Sequence, residues 1–160
     1  MKCCLKITCL LSICFVLLVS TSCSFETAAT HRNDANIEFL NYLSDNNIEE
    51  TPTESGLVFI NILEGSGDSP VAGSKVALNY TGYLLDGQKF DSSFDRNAPM
   101  VFTVGSGMVI KGLDEAVMLM KRGGKAKVVI PYYLAYGDSG YGPIPSYTNL
   151  VFYLELVDFK

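Results

Sequence analysis

The sequence predicts an α+β fold in which an antiparallel β-sheet covers one short α-helix. Its 160 residues suffice for a single domain with one hydrophobic core. Segments rich in β-branched and aromatic residues alternate with clusters of glycine, proline, aspartate and serine, a pattern typical of strands joined by turns. Among these strand segments a single stretch has apolar residues at helical spacing. Many strands and one helix favour an antiparallel α+β domain.

The first strands are expected between Gly56 and the proline at position 99. The segment "GLVFINILEG" predicts a strand that Gly65, Gly67 and Pro70 end. The segment "SKVALNYTGYLLDGQKFDSS" predicts a β-hairpin whose turn is Asp86–Gly87, because this dipeptide favours a tight hairpin turn. The segment "MVFTVGSG" then predicts another short strand.

The helix is expected at Lys111–Met120. Its apolar residues recur at helical spacing, and Gly123 and Gly124 follow as a stop signal. The segment "KAKVVIP" predicts the next strand, and a loop rich in glycine, tyrosine and proline spans 136–146. The segment "NLVFYLELVDF" predicts the last strand, with alternate leucine and phenylalanine side chains on one face.

Residues 1–22 are expected to be a lipoprotein signal peptide. Lys2 and Lys6 precede an apolar stretch, "ITCLLSICFVLLVS", which is shorter than the roughly 20 residues that span a bilayer. All five cysteines lie at or before Cys23, so cleavage before Cys23 leaves one thiol at the new N-terminus. This junction resembles a bacterial lipoprotein signal with acylation at Cys23, although Ser20 replaces the usual leucine. An ordinary signal peptide is the alternative.

Residues 23–52 are expected to form a tether, and residues 53–160 the folded domain. Ile37, Leu40 and Leu43 recur at threes, which predicts one short amphipathic helix within 34–45. This helix could pack on the domain, mediate dimerisation, or lie in the tether. A marginal helix within a linker is the favoured interpretation, because short isolated helices are weakly stable.

The composition excludes several kinds of chemistry. The one histidine, His31, lies in the tether, and the domain has no cysteine, so a Ser-His or Cys-His mechanism and a cysteine metal site are not expected. The segment "GSGMVIKG" has Ile110 where a dinucleotide motif needs a glycine. A net charge of −5, with no basic cluster beyond "KRGGKAK", argues against nucleic-acid binding. An enzyme here is expected to use no metal and no cofactor.

Four motifs then point to a family. "YTGYLLDGQKFDSS", "VIKGLDEAV", "AYG" and "LVFYLEL" occur in order, and together they resemble the FKBP-type peptidyl-prolyl cis-trans isomerases over Gly56 to Lys160. The resemblance implies a twisted antiparallel sheet wrapped around one short helix. It implies an isomerase that desolvates and twists X–Pro amides, with proline-containing clients and possible binding of macrolide-type inhibitors.

The lipoprotein signal adds an expected location. The chain resembles the lipid-anchored FKBPs of Bacteroidetes, which implies a periplasm-facing protein attached to the outer rather than the inner membrane. There it would assist the folding of exported proteins.

The family pattern also implies site residues. Asp91, Tyr136, Ile110 and Phe90 match catalytic positions: a pocket-edge carboxylate, a ligand-binding hydroxyl, a backbone N–H and a wall ring. Expected substrate-binding residues are Tyr80, Arg96, Met100, Val109, Leu113, Tyr141, Ile144 and Phe152, with Arg96 as the ion-pair partner of Asp91.

The sequence departs from the family pattern in four places. Leu113 stands where many members have tryptophan, Met100 where phenylalanine is frequent, and Tyr141 where several members have histidine. Ser146 interrupts a usual Pro-Pro pair.

Two other functions stay open from the sequence. A non-catalytic FKBP-like chaperone or scaffold would keep the pocket and hold a client without turnover. A structural envelope lipoprotein would use the 34–45 helix for its functional contact. The completeness of the pocket set favours the enzyme.

Overall fold

The structure is a computed structural model that describes residues 28–160. The predicted signal peptide and Cys23 lie outside these described residues. Residues Ala35–Lys160 form one compact unit. Within the described range, the helices are too short or too polar to cross a membrane.

The predicted strands and helix are confirmed. The strands are β1 (Val58–Leu63), β2 (Lys75–Leu84), β3 (Lys89–Ser92), β4 (Met100–Thr103), β5 (Lys125–Ile130) and β6 (Leu150–Phe159). They form one six-stranded antiparallel sheet in the order β1–β5–β6–β2–β3, and β4 also pairs with β2. The helices are α1, which covers 28–45, and α2 (Lys111–Met118), and short 3₁₀ helices lie at Phe94–Arg96 and Tyr132–Leu134.

Helix α2 packs on the inner face of the sheet. The side chains of β2 alternate between buried and half-buried, as expected for a strand with one face on the core. On α2, Leu113, Ala116 and Val117 are buried in the same cluster as alternate side chains of β2 and β6. The expected sheet-on-helix core is therefore present.

The β2–β3 hairpin brings two distant parts of the motif region together. Gly87 has a φ of +88°, a backbone conformation that is strained for residues with a side chain. The Leu84 N–H donates to the Gln88 carbonyl at 2.9 Å and closes the turn. The Asp86 carboxylate accepts the Gln88 N–H at 2.8 Å. The hairpin pairs Gly82 with Asp91, which puts β3 beside the strand that holds Tyr80.

Helix α1 packs on the sheet, which is one of the possibilities left open for the 34–45 segment, whereas the sequence favours a marginal helix in a linker. Its Phe39 is 9% exposed and packs on Val58, Val129 and Val151, which form an apolar patch on the outer face of the sheet. Burial of this ring stabilises the helix, which would be marginal alone. The compact unit thus begins at Ala35, within α1.

Candidate active site

Three aromatic rings predicted for the pocket wall pack together on the inner face of the sheet. Tyr80 and Phe152 are buried, whereas Phe90 is half-buried. The Phe90 and Phe152 ring centroids lie 5.5 Å apart at 86°, and those of Tyr80 and Phe152 lie 6.0 Å apart at 54°. Edge-to-face and tilted packing of this kind is favourable between aromatic rings.

The other apolar residues predicted for the site lie in the same hydrophobic cluster as these rings. Leu113 and Ile144 are buried there, and the half-buried members are Met100, Val109, Ile110 and Tyr136. Ile110 is the residue that precedes α2, and its carbonyl accepts the N–H groups of Leu113 and Asp114. The structure therefore brings the predicted wall, floor and helix entrance together, while their roles in catalysis stay predictions.

A carboxylate, a phenol and a guanidinium meet at the pocket edge. The Tyr80 hydroxyl donates a hydrogen bond to Asp91 Oδ2. Arg96 Nη1 donates to Asp91 Oδ1 at 2.5 Å, and Arg96 Nη2 donates to the Tyr80 hydroxyl at 2.6 Å. The expected Asp91–Arg96 ion pair is present, and Tyr80 completes a three-residue network that sequence reasoning did not foresee.

The charge states in this network follow from its contacts. Partial burial of Asp91 raises the pKa of its carboxyl, but the hydrogen bonds from Tyr80 and Arg96 outweigh burial, and the net pKa lies below its ordinary value. Burial raises the pKa of Tyr80, and the hydrogen bond to Asp91 raises it further. Asp91 is therefore ionised and Tyr80 protonated at neutral pH.

This network predicts how activity depends on pH. Because the folded-state pKa of Asp91 is depressed, the stability it adds is present above about pH 4 and is lost as the pH falls through the folded pKa. We expect the isomerase activity that the family resemblance implies to be constant between about pH 5 and 8 with respect to Asp91. A pH profile of kcat/KM on an X–Pro peptide measures this, and a titration of activity near pH 6 would contradict it.

Arg96→Gln tests the cause of the depressed pKa. Removing the guanidinium takes away a contact that lowers the pKa of Asp91, so the effect of burial raises this pKa. The acid limb of the pH profile of kcat/KM should therefore move to higher pH. Asp95→Asn is the matched control, since Asp95 pairs with Lys89 at 2.8 Å and not with Asp91. An unchanged acid limb in Arg96→Gln would mean that Arg96 does not hold Asp91 ionised.

The loop after β5 provides the remaining predicted residues. The Tyr136 and Tyr141 rings stack at 5.1 Å and 13°, and Tyr141 is 69% exposed. Tyr141 and Ile144 exchange two backbone hydrogen bonds of 2.9 Å, which fold the 136–146 loop, here called the flap, into a tight turn over the buried Ile144 side chain. Burial raises the pKa of Tyr136, as does the nearby Asp91 charge to a smaller extent, so its hydroxyl stays protonated.

Two serines and a glycine position the wall, and sequence reasoning missed all three. Ser93 Oγ accepts the Tyr80 N–H at 2.9 Å, and Ser92 Oγ donates to the Tyr80 carbonyl at 3.2 Å. Both serines are buried, and Gly82 lies where a Cβ would be 2.5 Å from the Phe90 ring and 2.9 Å from the Phe152 ring. The signal in the sequence was the pair of small polar residues directly after Asp91.

A separate groove of about 470 Å³ contains none of the predicted site residues. It is lined by residues of the β2–β3 hairpin, of β6 and of α1, namely Tyr42, Tyr83, Leu84, Leu85, Gly87, Val151 and Tyr153. No carboxylate lines this groove, whereas Asp91 lies in the network with Tyr80 and Arg96 beside the aromatic rings. The ring site is therefore the candidate active site. Within residues 28–160, no cluster of three or more histidine, cysteine or acidic side chains could hold a metal ion.

Comparison with known proteins agrees with this geometry. Residues 67–157 match the family model of the FKBP-type peptidyl-prolyl cis-trans isomerases. The chain is 46% identical over 103 residues to the FK506-binding protein of Neisseria meningitidis serogroup B, which covers 64% of this chain and 94% of that protein.

A longer relative agrees in sequence and in structure. The isomerase FkpA of Escherichia coli is 42% identical over 108 residues, which cover 68% of this chain and 39% of that protein. The crystal structure of FkpA superposes with a TM-score of 0.74 at 32% identity, over 99% of this chain and 74% of that one. From the fold, the pocket and these matches, the chain belongs to the FKBP-type peptidyl-prolyl cis-trans isomerases.

Proposed function

We propose that this isomerase acts by holding an X–Pro amide in the pocket of Tyr80, Phe90 and Phe152 and favouring its twisted form. The observation that supports this most is a single ionised carboxylate at the edge of an otherwise apolar, ring-lined pocket. Such a site offers a low-polarity environment with the Asp91–Arg96 ion pair fixed at its edge.

The physical reason lies in the amide itself. An X–Pro bond isomerises over tens to hundreds of seconds without catalysis, because the planar amide loses resonance as it twists. The twisted amide carries less charge on its carbonyl oxygen than the planar one. Transfer from water to an apolar pocket therefore destabilises the planar form more, which lowers the barrier by differential binding. A thousandfold to millionfold acceleration requires about 4 to 8 kcal/mol.

Asp91 supplies the negative charge of this ion pair. With the Tyr80 hydroxyl and the Arg96 guanidinium bonded to it, the carboxylate has a defined position at the pocket edge. From there it interacts with the carbon of the twisted carbonyl, while the backbone N–H of Ile110 donates to a substrate carbonyl. The apolar residues of the cluster exclude water from the reacting bond.

Asp91→Asn tests this proposal. Asparagine keeps the shape but removes the charge, so kcat/KM on a proline peptide should fall by about tenfold or more, because a charged hydrogen-bonding group is lost. Folding should be retained, since the Asp91 side chain is 40% exposed. The control is Asp95→Asn on the adjacent exposed turn. Equal rates for Asp91→Asn and wild type would remove Asp91 from the mechanism.

Tyr136→Phe is expected to reduce activity without reducing stability. Among residues 28–160 the Tyr136 hydroxyl makes no hydrogen bond, so its removal breaks no hydrogen bond of the folded protein. If it donates to bound substrate, KM should rise several-fold at an unchanged unfolding temperature. NMR titration with an X–Pro peptide measures the affinity. Equal affinity in both proteins would show that the hydroxyl does not bind substrate.

We further propose that the protein is lipid-anchored at Cys23 and faces the periplasm from the outer membrane, where it assists folding of exported proteins. The support is the order of basic start, short apolar stretch and Cys23. Cys23→Ser should move the protein from the detergent phase to the aqueous phase, and Cys14→Ser is the control. Detergent-phase partitioning of Cys23→Ser would contradict acylation at this residue.

The same pocket is proposed to accept macrolide-type inhibitors. The relative from Neisseria is named for binding FK506. Here the ring-lined pocket offers the apolar surface that a macrolide needs. FK506 should compete with an X–Pro peptide in wild type, and binding that survives Phe152→Ala would argue for another site.

A further inference from the structure

A buried asparagine connects helix α1 to the loop after β5. Asn149 is 1% exposed and directly precedes β6. Its Oδ1 accepts the Tyr132 N–H at 2.9 Å, and its Nδ2 donates to the Ala35 carbonyl at 2.7 Å. One partner is a donor and the other an acceptor, so the side-chain amide fits in only one orientation.

Tyr132 in turn determines where Tyr136 lies. The Tyr132 carbonyl accepts the N–H of Ala135 at 3.0 Å and the N–H of Gly137 at 2.9 Å, and these two residues flank Tyr136. The Gly137 carbonyl accepts the Tyr147 N–H at 2.8 Å, which closes the far end of the flap. The backbone around Tyr136 is therefore folded on the Tyr132 carbonyl, and Asn149 holds the N–H of the same residue, in the preceding peptide group.

Helix α1 is held beside Asn149 at a second point. Phe39, one helical turn after Ala35, packs on Val151, which lies two residues after Asn149. If α1 undocked, the Asn149 amide would lose its acceptor at Ala35 while buried, and an unpaired buried polar group is unfavourable. The two contacts thus make docking of α1 and placement of Tyr132 depend on each other.

We propose that Asn149 is a positioning residue that couples helix α1 to the Tyr136 loop, so that docking of α1 tunes substrate affinity. The inference rests on the proposed function only in assigning Tyr136 to substrate binding. It gives α1 a part in the active site, although none of its residues belongs to the pocket cluster. A purely structural Asn149 would instead affect stability and leave the folded enzyme unchanged.

Asn149→Ala in the full chain tests the coupling to the loop. At a temperature where wild type and variant are both folded, amide hydrogen exchange at Ala135 and Gly137 should accelerate about tenfold or more, and KM should rise several-fold with little change in kcat. The amides of β3 should exchange as in wild type. Unchanged exchange at Ala135 and Gly137, with unchanged KM, would overturn the proposal.

Phe39→Ala tests the α1 side without touching Asn149. We expect faster amide exchange in α1 and also at Tyr132, Ala135 and Gly137, together with a higher KM. Leu40→Ala is the matched control, because Leu40 is on the same helix but 63% exposed. Faster exchange confined to α1 would show that the helix and the loop are not coupled.

The two proposals fail differently. If the folded wild type does not accelerate isomerisation, the proposed function fails, but exchange at Ala135 and Gly137 in Asn149→Ala and Phe39→Ala still decides the coupling. If the wild type is active and both variants match it in KM and exchange, only the coupling fails.

Discussion

Phe152→Ala is expected to destabilise the protein by about 3–5 kcal/mol and to abolish isomerisation at temperatures where the variant is still folded. Phe152 is 2% exposed, and its ring contacts both Tyr80 and Phe90. Its loss leaves a cavity in the core and removes the ring that holds the other two in place. Chemical denaturation measures the stability, and NMR exchange on an X–Pro peptide measures the activity.

The control for Phe152→Ala is Tyr153→Ala. Tyr153 is the next residue on β6, but its ring is on the outer face, 45% exposed and edge-on to Tyr83. We expect the Tyr153→Ala variant to lose about 1 kcal/mol of folding stability and to keep full activity. Full activity of a folded Phe152→Ala variant would mean that the described pocket is not where prolyl bonds are isomerised.

Gly82→Ala is expected to have the second largest effect on stability and activity. It adds volume to a tightly packed site, whereas Phe152→Ala removes volume. A Cβ at Gly82 would lie 2.5 Å from the Phe90 ring and 2.9 Å from the Phe152 ring, so both rings must shift. Overpacking of this kind typically costs about 1–3 kcal/mol. Because the shift narrows the pocket, kcat/KM should fall at least tenfold even in the folded variant.

Ala77→Val is the matched control for Gly82→Ala. It adds volume to the same strand at a half-buried position whose neighbours on β2 are buried on the opposite, inner face. Its activity should equal that of wild type. If Gly82→Ala is also fully active and equally stable, the rings are free to move, and the close packing described here does not determine pocket shape.

The elements of the domain could be predicted because local signals agree with the final fold. Asp86–Gly87 determines the hairpin within a short stretch, and α2 ends at Met118, two residues before its predicted limit. The docking of α1 could not be predicted in this way. It depends on Val58, Val129 and Val151, which come from three strands and are joined into one patch by the sheet.

Some residues of the candidate site could likewise be predicted from local motifs, and others could not. The rings, Asp91 and Arg96 could be named from the motifs, and the structure brings them together. The supporting residues could not be named in advance. Ser93 and Asn149 are residue types common in loops, and their roles depend on buried hydrogen-bond partners that only the structure shows. Gly82 resembled any strand glycine until the two rings beside it were located.

The central claim is that this pocket catalyses prolyl isomerisation through Asp91 and its surrounding rings. The most direct test is NMR exchange spectroscopy on short X–Pro peptides with a catalytic amount of wild-type protein, beside Asp91→Asn and the control Asp95→Asn. We predict fast cis-trans exchange with wild type and Asp95→Asn, and exchange slower by about tenfold or more with Asp91→Asn. No acceleration by folded wild type, across several residues before proline, would contradict the claim and favour a non-catalytic chaperone.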